Sequence, residues 1–373
     1  MSLKVIELFA GIGSPRKALK NLNIDHEIIV FSEIDKFAEI SYRAIHNDYK
    51  TENMGDITKI KELPTCDLLV FGSPCQDISI SGKQKGIQEG TRSGLLLEVL
   101  RLLEVYKNKN SLPKHLLLEN VSNILSKEHR KEFQNYLLFL EKLGYKNFYK
   151  VLNAVDYEIP QNRERLFCLS ILDEKAKYNF PGPKKLKIFL RDLLEKEVDK
   201  KYYLDDEKTN KFIHENWEKI KEIEKTGKVN FISSLSGKNS QGERVYYPDV
   251  AVTLAALAGG FGGKTGLYIV GELENRGQRG RVYNPDGVMG CLTATGYKDP
   301  PKIYDDYKIR RLTPLECFRL MGFSDTDFIN AQKTISDSQL YKQAGNSIVV
   351  NVLEAIFKNL FLEEETPVIQ KLF

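Results

Sequence analysis

Short apolar segments alternate with amphipathic helical segments through the first half of the chain, and this alternation restricts the fold more than any other feature of the sequence. The clearest helical stretches are SGLLLEVLRLLEVYK (residues 93–107) and KEFQNYLLFLEKLG (residues 131–144). Strands that alternate with helices form a mostly parallel sheet with helices on both faces. We therefore predict an α/β fold with a doubly wound, Rossmann-like sheet. Its predicted strands are Lys4–Phe9, Glu27–Ser32, Leu68–Gly72, His115–Glu119, Lys150–Val155 and Leu166–Ile171.

The second half of the chain differs from the first in composition and in hydrophobic pattern. NFPGPKKLK (residues 179–187) interrupts the alternation, and residues 229–303 are rich in Gly, Tyr, Thr and Arg, which is typical of short strands and long loops. Two similar segments, RVYYPDVAVTLAA from Arg244 and RVYNPDGVMGCLTAT from Arg281, predict two hairpins with Pro-Asp turns. We divide the chain into a first domain at 1–180, a smaller, mostly β or irregular domain at 181–325, and a C-terminal helical segment at 326–373 that returns to the first domain.

Composition restricts the function only coarsely. The 373 residues carry a formal net charge of +4, which permits a polyanionic partner without requiring one. The five cysteines form no C-x-x-C pair, so the sequence predicts reduced thiols and no metal ion. No apolar run reaches about 18 residues and no signal-peptide pattern is present, so we expect a cytoplasmic protein without a membrane span.

The first strand leads into a glycine-containing loop, LFAGIGSPRKAL. Gly11 and Gly13 allow a ligand to approach the backbone closely. Ser14 is a natural N-cap and Pro15 a natural first helical residue, so the helix N-terminus is expected to face an anionic group. The dinucleotide fingerprint is incomplete, because Arg16 stands where its third glycine belongs.

Two acidic residues extend this interpretation. Glu33 follows the loop by about 20 residues, where a carboxylate can accept both hydroxyls of a ribose. Asp56, in MGDITKI, suits an adenine amino group, but a turn role explains it equally well. These residues indicate a nucleoside cofactor without choosing between NAD and S-adenosylmethionine.

A set of reactive side chains is expected at the carboxyl ends of the strands, where open α/β sheets bind ligands. Cys75 in VFGSPCQDIS follows one strand, although taken alone it fits a buried structural thiol as well as a nucleophile. Glu119 ends another strand, where apolar surroundings raise a carboxyl pKa and favour proton donation. Arg163 and Arg165 are two positions apart in an extended segment, so both face one side and suit a carbonyl oxygen. Together these groups suit addition of a thiolate to an electron-poor ring.

These segments, in this order, resemble the motifs of the DNA (cytosine-5)-methyltransferase family of bacterial or phage restriction-modification systems. The resemblance spans nearly the full length and lies in LFAGIGS, SEID, GDI, GSPCQDIS, SGKQKG, TRSGLL, LENV, QNRERLF, RRLTPLECFRLMGF and YKQAGNSIVVNV. The chain departs from the usual pattern at Glu7 and Ser14, where Asp and Gly are common, and at Asp77-Ile78, where Pro-Phe is common. None of these departures removes a reacting group.

The resemblance implies methyl transfer from S-adenosylmethionine to C5 of a cytosine rotated out of a specific double-stranded DNA sequence. It assigns Cys75 to attack on C6, Glu119 to protonation of N3, and Arg165, supported by Arg163, to binding of O2. The implied cofactor-binding residues are Phe9, Gly11, Ile12, Gly13, Glu33, Ile34, Asp56, Ile57, Pro74, Asn346 and Ser347.

The Gly-rich, basic second region corresponds in this family to the target-recognition domain. The expected DNA-binding residues are Ser79, Arg244, Thr253, Leu254, Arg279, Arg281 and Thr293. The family often has Thr followed by an aliphatic residue at the centre of this region. Thr253-Leu254 fits that pattern, and Leu292-Thr293 in the second repeat is the rival.

Several alternatives stay open. A tRNA cytosine-5 methyltransferase would use the same motifs, although the long second region favours duplex DNA. An NAD-dependent dehydrogenase would need a third loop glycine and a His or Tyr for hydride chemistry, which the sequence does not offer. A catalytically silent DNA-binding relative would lack a core motif residue, and none is missing here. We expect a monomer; the recognition sequence and the existence of a cognate restriction endonuclease stay open.

Overall fold

The computed structural model describes residues 2–73, 95–203, 269–272, 281–283, 289–290, 292, 302–305 and 308–362. The described strands are β1 (Leu3–Leu8), β2 (His26–Ser32), β3 (Glu52–Asn53), β4 (Leu68–Gly72), β5 (His115–Val121), β6 (Lys146–Asn153), β7 (Gln161–Asn162), β8 (Glu164–Ile171), β9 (Ile269–Glu272), β10 (Arg281–Tyr283), β11 (Met289–Gly290), β12 (Lys302–Asp305) and β13 (Lys308–Arg311). The described α-helices are α1 (Ser14–Asn21), α2 (Lys36–His46), α3 (Leu95–Asn108), α4 (Arg130–Lys142), α5 (Pro314–Arg319), α6 (Asp325–Gln332), α7 (Asp337–Asn346) and α8 (Val350–Phe361).

A seven-stranded sheet in the order β3-β2-β1-β4-β5-β8-β6 forms the centre of the first domain. All of its strands are parallel except β8, which runs antiparallel to both of its neighbours. The predicted doubly wound α/β fold is therefore confirmed. The expected strand Lys150–Val155 is wrong in its bounds, since β6 begins at Lys146, directly after the Gly144 turn, and ends where Asn153 caps a 3₁₀ turn.

The central strands are apolar throughout because both of their faces are covered. In β4, Leu68 and Val70 pack into one hydrophobic core, while Leu69 and Phe71 pack into a second core on the opposite face. This alternation follows from the period of two in a strand, and it explains why the strand is a continuous apolar run. The two cores fix the sheet, and the sheet fixes the loops at its carboxyl edge.

The C-terminal helices pack against α2. Gln343 on α7 accepts a hydrogen bond from the Ser41 hydroxyl at 2.8 Å and donates one to Phe37 O at 2.9 Å. The side chain of Lys342 forms a 2.6 Å ion pair with Asp35, which also caps α2. This packing brings the chain after α7 to the part of the sheet that carries the glycine-containing loop.

The described part of the second region contains a four-stranded sheet in the order β13-β12-β10-β9. The hairpin predicted from RVYNPDGVMG is wrong, since β10 pairs with β9 and β12, whereas β11 pairs with β7 of the first domain. The two short strands that flank this Pro-Asp segment therefore have different partners. The first repeat, from Arg244, lies outside the described residues.

A buried ion pair connects the last strand of the second region to the helix that follows it. Arg310 donates to both carboxylate oxygens of Glu316, at 2.8 and 2.9 Å, and both side chains are almost fully buried. The same carboxylate accepts the backbone N–H groups of Thr313 and Glu195. Leu312 and the α5 residue Phe318 belong to the same hydrophobic core as Val5 of β1 and Leu68 of β4. The division of the chain at residues 180 and 325 stays a prediction.

Candidate active site

The loop after β1 has the backbone geometry that its sequence indicates. Phe9, Gly11 and Gly13 have positive φ values of 54°, 57° and 78°. The predicted cap is wrong by one residue, because Gly13 is the N-cap and Ser14 begins α1 with no side-chain cap. Gly13 can end the loop in the left-handed conformation without strain, and the helix therefore begins earlier. In the first helical turn Pro15 has no N–H and Arg16 N donates to the Glu7 carboxylate at 2.9 Å, so these positions do not offer free donors to a ligand.

Glu33 joins this loop to the end of β2. Its two carboxylate oxygens each accept a 2.8 Å hydrogen bond, one from Gly11 N and one from Asp35 N. The Glu33 N–H donates to Asn53 Oδ1 at 3.0 Å, which fixes the backbone at the strand end. Burial raises the pKa of Glu33, and the two backbone hydrogen bonds oppose that shift. The carboxylate thus lies between the first and second loops, where a ribose bound above the glycines would meet it.

The other predicted cofactor residues of this edge lie in neighbouring loops. Ile34 is 74% exposed beside Glu33 and offers an apolar surface. Asp56 accepts hydrogen bonds from Thr58 N and Thr58 Oγ1, which lower its pKa and cap the following 3₁₀ turn. Asp56 therefore has the turn role that the sequence left open beside adenine binding. Ile57 is buried, and its carbonyl accepts a 3.3 Å hydrogen bond from Arg101 of α3.

The predicted nucleophile and its neighbours, Pro74, Cys75 and Ser79, lie outside the described residues. The strand that leads to them, β4, is described. Gly72 at the end of β4 pairs with Glu119 on β5, and a Cβ at Gly72 would lie 3.1 Å from Glu119 Oε2. Glycine at this position therefore lets the carboxyl group lie directly against the exit of the strand.

Glu119 and Arg165 form the centre of the site. Glu119 Oε1 lies 3.2 Å from Arg165 Nε, and the two side chains are 13% and 19% exposed. Burial raises the pKa of Glu119, while the positive charges of Arg165 and Arg163 oppose the shift. A carboxyl group of raised pKa beside a guanidinium can give a proton to a ring nitrogen while the guanidinium binds a neighbouring carbonyl.

Asn120, next to Glu119, has a supporting role. Its buried side-chain amide donates a 3.0 Å hydrogen bond to Ser73 Oγ, one residue beyond β4. Its Oδ1 accepts the N–H of Val121 at 2.8 Å. The side chain therefore connects the end of β5 to the segment that leads toward Cys75.

Arg163 has partners that the sequence did not indicate. Its guanidinium is buried and donates to three main-chain carbonyls, with Leu292 O at 2.7 Å, Gly345 O at 3.1 Å and Ser347 O at 2.8 Å. Ser347 is buried and donates through its hydroxyl to Gln343 O, whereas Asn346 at the end of α7 is exposed. Arg163 thus connects the start of β8 to the C-terminal segment and to the second region.

A buried polar layer beneath the glycine-containing loop was missed by the sequence reasoning. Glu7 accepts hydrogen bonds from Tyr42 Oη at 2.6 Å and from Arg16 N at 2.9 Å. His46 Nε2 lies 3.1 Å from Ile12 O, and burial lowers the pKa of His46 to about 3, so the ring is neutral and can donate from this nitrogen. The only signal in the sequence is the acidic Glu7 inside an apolar strand, which requires buried donors.

The expected DNA-binding residues are mostly not described. Arg281 is the first residue of β10, and its backbone pairs with Glu272. Outside the described residues lie Arg244, Thr253, Leu254, Arg279 and Thr293. Within the part of the chain that the structure describes, no cluster of His, Cys, Asp and Glu has the geometry of a metal site, and no helix is long and apolar enough to cross a membrane.

Comparisons with known proteins agree with this arrangement. A sequence model of the family described as C-5 cytosine-specific DNA methylase matches residues 3–362. The chain is 35% identical to the type II methyltransferase M2.ScrFI of Lactococcus lactis subsp. cremoris, covering 96% of this chain and 99% of the relative. It is 33% identical to the type II methyltransferase M.HhaI of Haemophilus parahaemolyticus, covering 96% and 94%. Among solved structures, the S. pombe Dnmt2 methyltransferase has a TM-score of 0.62 at 20% identity, covering 95% of this chain and 97% of that one, a likeness of fold.

Proposed function

The chain belongs to the C-5 cytosine-specific DNA methylase family, and from this premise we propose that it methylates C5 of a cytosine, rotated out of a specific double-stranded DNA sequence, through a covalent bond between Cys75 and C6. The observation that carries the proposal is the Glu119–Arg165 pair. The two groups lie beside Gly72, at the end of the strand that leads to Cys75.

Cys75, Glu119 and Arg165 act on three different atoms of the cytosine ring. The Cys75 thiolate adds to C6, and its electron pair forms the S–C6 bond while the ring electrons move toward C5. The protonated Glu119 carboxyl gives its proton to N3, which makes C6 more electrophilic. Arg165 donates to O2 and stabilises the charge that develops there. After C5 has taken the methyl group, solvent water takes the C5 proton, and the C–H electron pair re-forms the C5–C6 double bond as sulfur leaves C6 as the Cys75 thiolate. The N3 proton then returns to Glu119, which restores the acid for the next cycle.

The cofactor is proposed to lie along the edge formed by the loops after β1 and β2. When bound, S-adenosylmethionine supplies an electrophilic methyl group. The fit rests on two features of the chain, the positive-φ backbone at Gly11 and Gly13 and the Glu33 carboxylate held between the two loops. Ile34 offers an exposed apolar side chain for an adenine ring. Ser347 is expected to close the edge from the C-terminal side.

The experiment uses the full chain, S-adenosylmethionine and a pool of random duplex DNA, with methylated cytosines read by bisulfite sequencing. We expect one methylated motif. Duplex DNA that carries 5-fluorocytosine at that position should trap the protein covalently, because fluorine at C5 cannot leave as a proton does. Cys75→Ala should abolish both methylation and trapping.

Cys66→Ala is the matched control, because this thiol is buried beside Tyr106, whose hydroxyl lies 3.7 Å away. It should retain methylation and trapping. A Cys75→Ala protein that still methylates DNA would refute the covalent mechanism. Transfer RNA in place of DNA tests the rival substrate, and its methylation with no methylation of DNA would replace the proposal. We propose a monomer as the active unit.

A further inference from the structure

The second of the two sequence repeats is hydrogen-bonded directly to β7, the short strand just before β8. Its strand β11 pairs in parallel with β7, with Met289 opposite Gln161 and Gly290 opposite Asn162. Two residues after β11, Leu292 is 4% exposed and belongs to the core of the first domain. The repeat is therefore anchored at one defined point.

Gln161 binds both sides of this junction. Its side chain is fully buried, and its Oε1 accepts the N–H of Leu292 at 3.0 Å. Its Nε2 donates to Leu320 O at 2.9 Å, at the end of α5. A buried amide with partners for both ends costs little to bury, whereas losing either partner leaves an unsatisfied polar group.

Arg163 binds the carbonyl side of the same residue, Leu292. Its Nη1 donates to Leu292 O at 2.7 Å, and its Nη2 donates to Gly345 O and Ser347 O. The N–H and C=O groups of Leu292 are thus both bonded to side chains that lie two positions apart. Arg165, the next residue of this alternation, pairs with Glu119.

We propose that Gln161 and Arg163 are positioning residues that hold the second repeat, through Met289–Gly290 and Leu292, against the Glu119–Arg165 pair, so that discrimination between DNA sequences depends on them. This inference rests on the proposed function. Since Leu292 is bonded to the segment that continues into Arg165, a shift of the repeat displaces its DNA contacts relative to the base-activating groups. Specificity then needs both the correct contacts and the correct placement of the anchored peptide.

The two residues differ in what they hold. Gln161 connects the repeat to α5, whereas Arg163 also binds the carbonyls of the C-terminal segment that is expected to close the cofactor site. A change at Gln161 should therefore lower discrimination without weakening cofactor binding, whereas a change at Arg163 should weaken both. This difference separates positioning from general stability.

The test uses Gln161→Met, which keeps the length of the side chain and removes its hydrogen bonds, and Arg163→Lys, which keeps the charge and removes the fork. Each full-length variant is given the random duplex pool, and rates at the wild-type motif are divided by rates at sequences one base pair away. We expect Gln161→Met to lower this ratio about tenfold with an unchanged KM for S-adenosylmethionine. Arg163→Lys should lower the ratio and raise that KM.

Tyr145→Phe is the control for loss of a buried hydrogen bond. The Tyr145 hydroxyl donates to Pro113 O at 2.7 Å, near the amino end of β5 and thus at the opposite edge of the sheet. This variant should lower Tm and leave the ratio unchanged. An unchanged ratio in Gln161→Met, or an equal fall in Tyr145→Phe, would overturn the inference. Absence of methylation by the wild-type protein would instead refute the proposed function.

Discussion

Replacement of Glu119 by glutamine tests the base-activating centre most directly. Glutamine has the same size and shape and retains an N–H donor for the ring nitrogen, but it cannot transfer a proton. Arg165, whose Nε lies 3.2 Å from Glu119 Oε1 in the wild type, then faces an amide oxygen in place of a carboxyl. The change therefore removes proton donation and leaves the packing nearly intact.

The expected loss follows from that single function. A positioned general acid contributes about 10²- to 10⁴-fold to a rate, which corresponds to about 3 to 5 kcal/mol of transition-state stabilisation. The wild-type rate requires one deprotonated thiol and one protonated carboxyl, so its pH–rate profile should be bell-shaped. In Glu119→Gln only the thiol titrates, and the profile should rise with pH to a plateau without a falling limb.

The difference in stability between Glu119→Gln and the wild type should depend on pH. The folded protein binds the Glu119 proton more tightly than the unfolded chain does, because the pKa is raised from 4.5. Wild-type stability from this group is therefore lost as pH rises from that value through the raised pKa. The difference in Tm between Glu119→Gln and the wild type should then grow in favour of the variant between pH 4 and pH 8.

The assay is single-turnover methyl transfer on the cognate duplex, with rates measured from pH 5 to pH 9 beside thermal melts. Glu354→Gln is the matched control, because this carboxylate lies on α8 and accepts a hydrogen bond from Asn21 at 2.6 Å. Its pH profile should be that of the wild type. A Glu119→Gln protein with a wild-type rate, or with the falling limb retained, would refute proton donation by Glu119.

Three further changes test the supports of the site. Tyr42→Phe removes the hydroxyl that binds Glu7, so we expect a loss of about 1.5 to 3 kcal/mol in stability, measured by urea unfolding, and weaker binding of S-adenosylhomocysteine in calorimetry. Gly13→Ala should reduce cofactor affinity more strongly than Tyr42→Phe, since φ is 78° and a Cβ would collide with the His46 ring; normal affinity would contradict this. Arg310→Met leaves a buried carboxylate without its cation and should cost about 3 to 5 kcal/mol in urea unfolding. Adding Glu316→Leu should recover only part of that loss, because the backbone N–H groups of Thr313 and Glu195 then lose their acceptor.

The sheet was predictable because the sequence signal and the physical cause are local. Apolar runs such as Leu68–Gly72 are continuous because both faces of the strand are buried, and the glycines at 11 and 13 have the backbone conformations that only glycine adopts without strain. The expected positions of Glu33 and Glu119 at strand ends follow from the same alternation. Cys75 and the expected DNA contacts other than the Arg281 backbone lie beyond the described residues, and their roles stay proposals.

The rest depended on contacts between residues distant in sequence. The predicted hairpin at the second repeat was wrong because β11 pairs with Gln161–Asn162, and no local sequence pattern indicates such a distant partner. The contacts of Arg163 with Gly345 and Ser347 likewise join positions more than 180 residues apart. The layer of Tyr42 and Glu7 was missed for the same reason, although an acidic residue in an apolar strand indicates that a buried donor must exist.

The reversal of β8 explains why the site forms at this edge of the sheet. In a parallel sheet, functional side chains gather at the carboxyl ends of the strands, and Glu119 lies there on β5. Arg165 lies at the start of its strand and would be at the opposite edge if β8 were parallel. Because β8 is antiparallel, Arg165 pairs with Val121 at the carboxyl end of β5, and its guanidinium reaches Glu119. The segment just before β8, which contains Gln161 and Arg163, is brought to the same edge and can bind Leu292 there. A single antiparallel strand thus places the base-activating arginine and the anchor of the second repeat in one continuous segment.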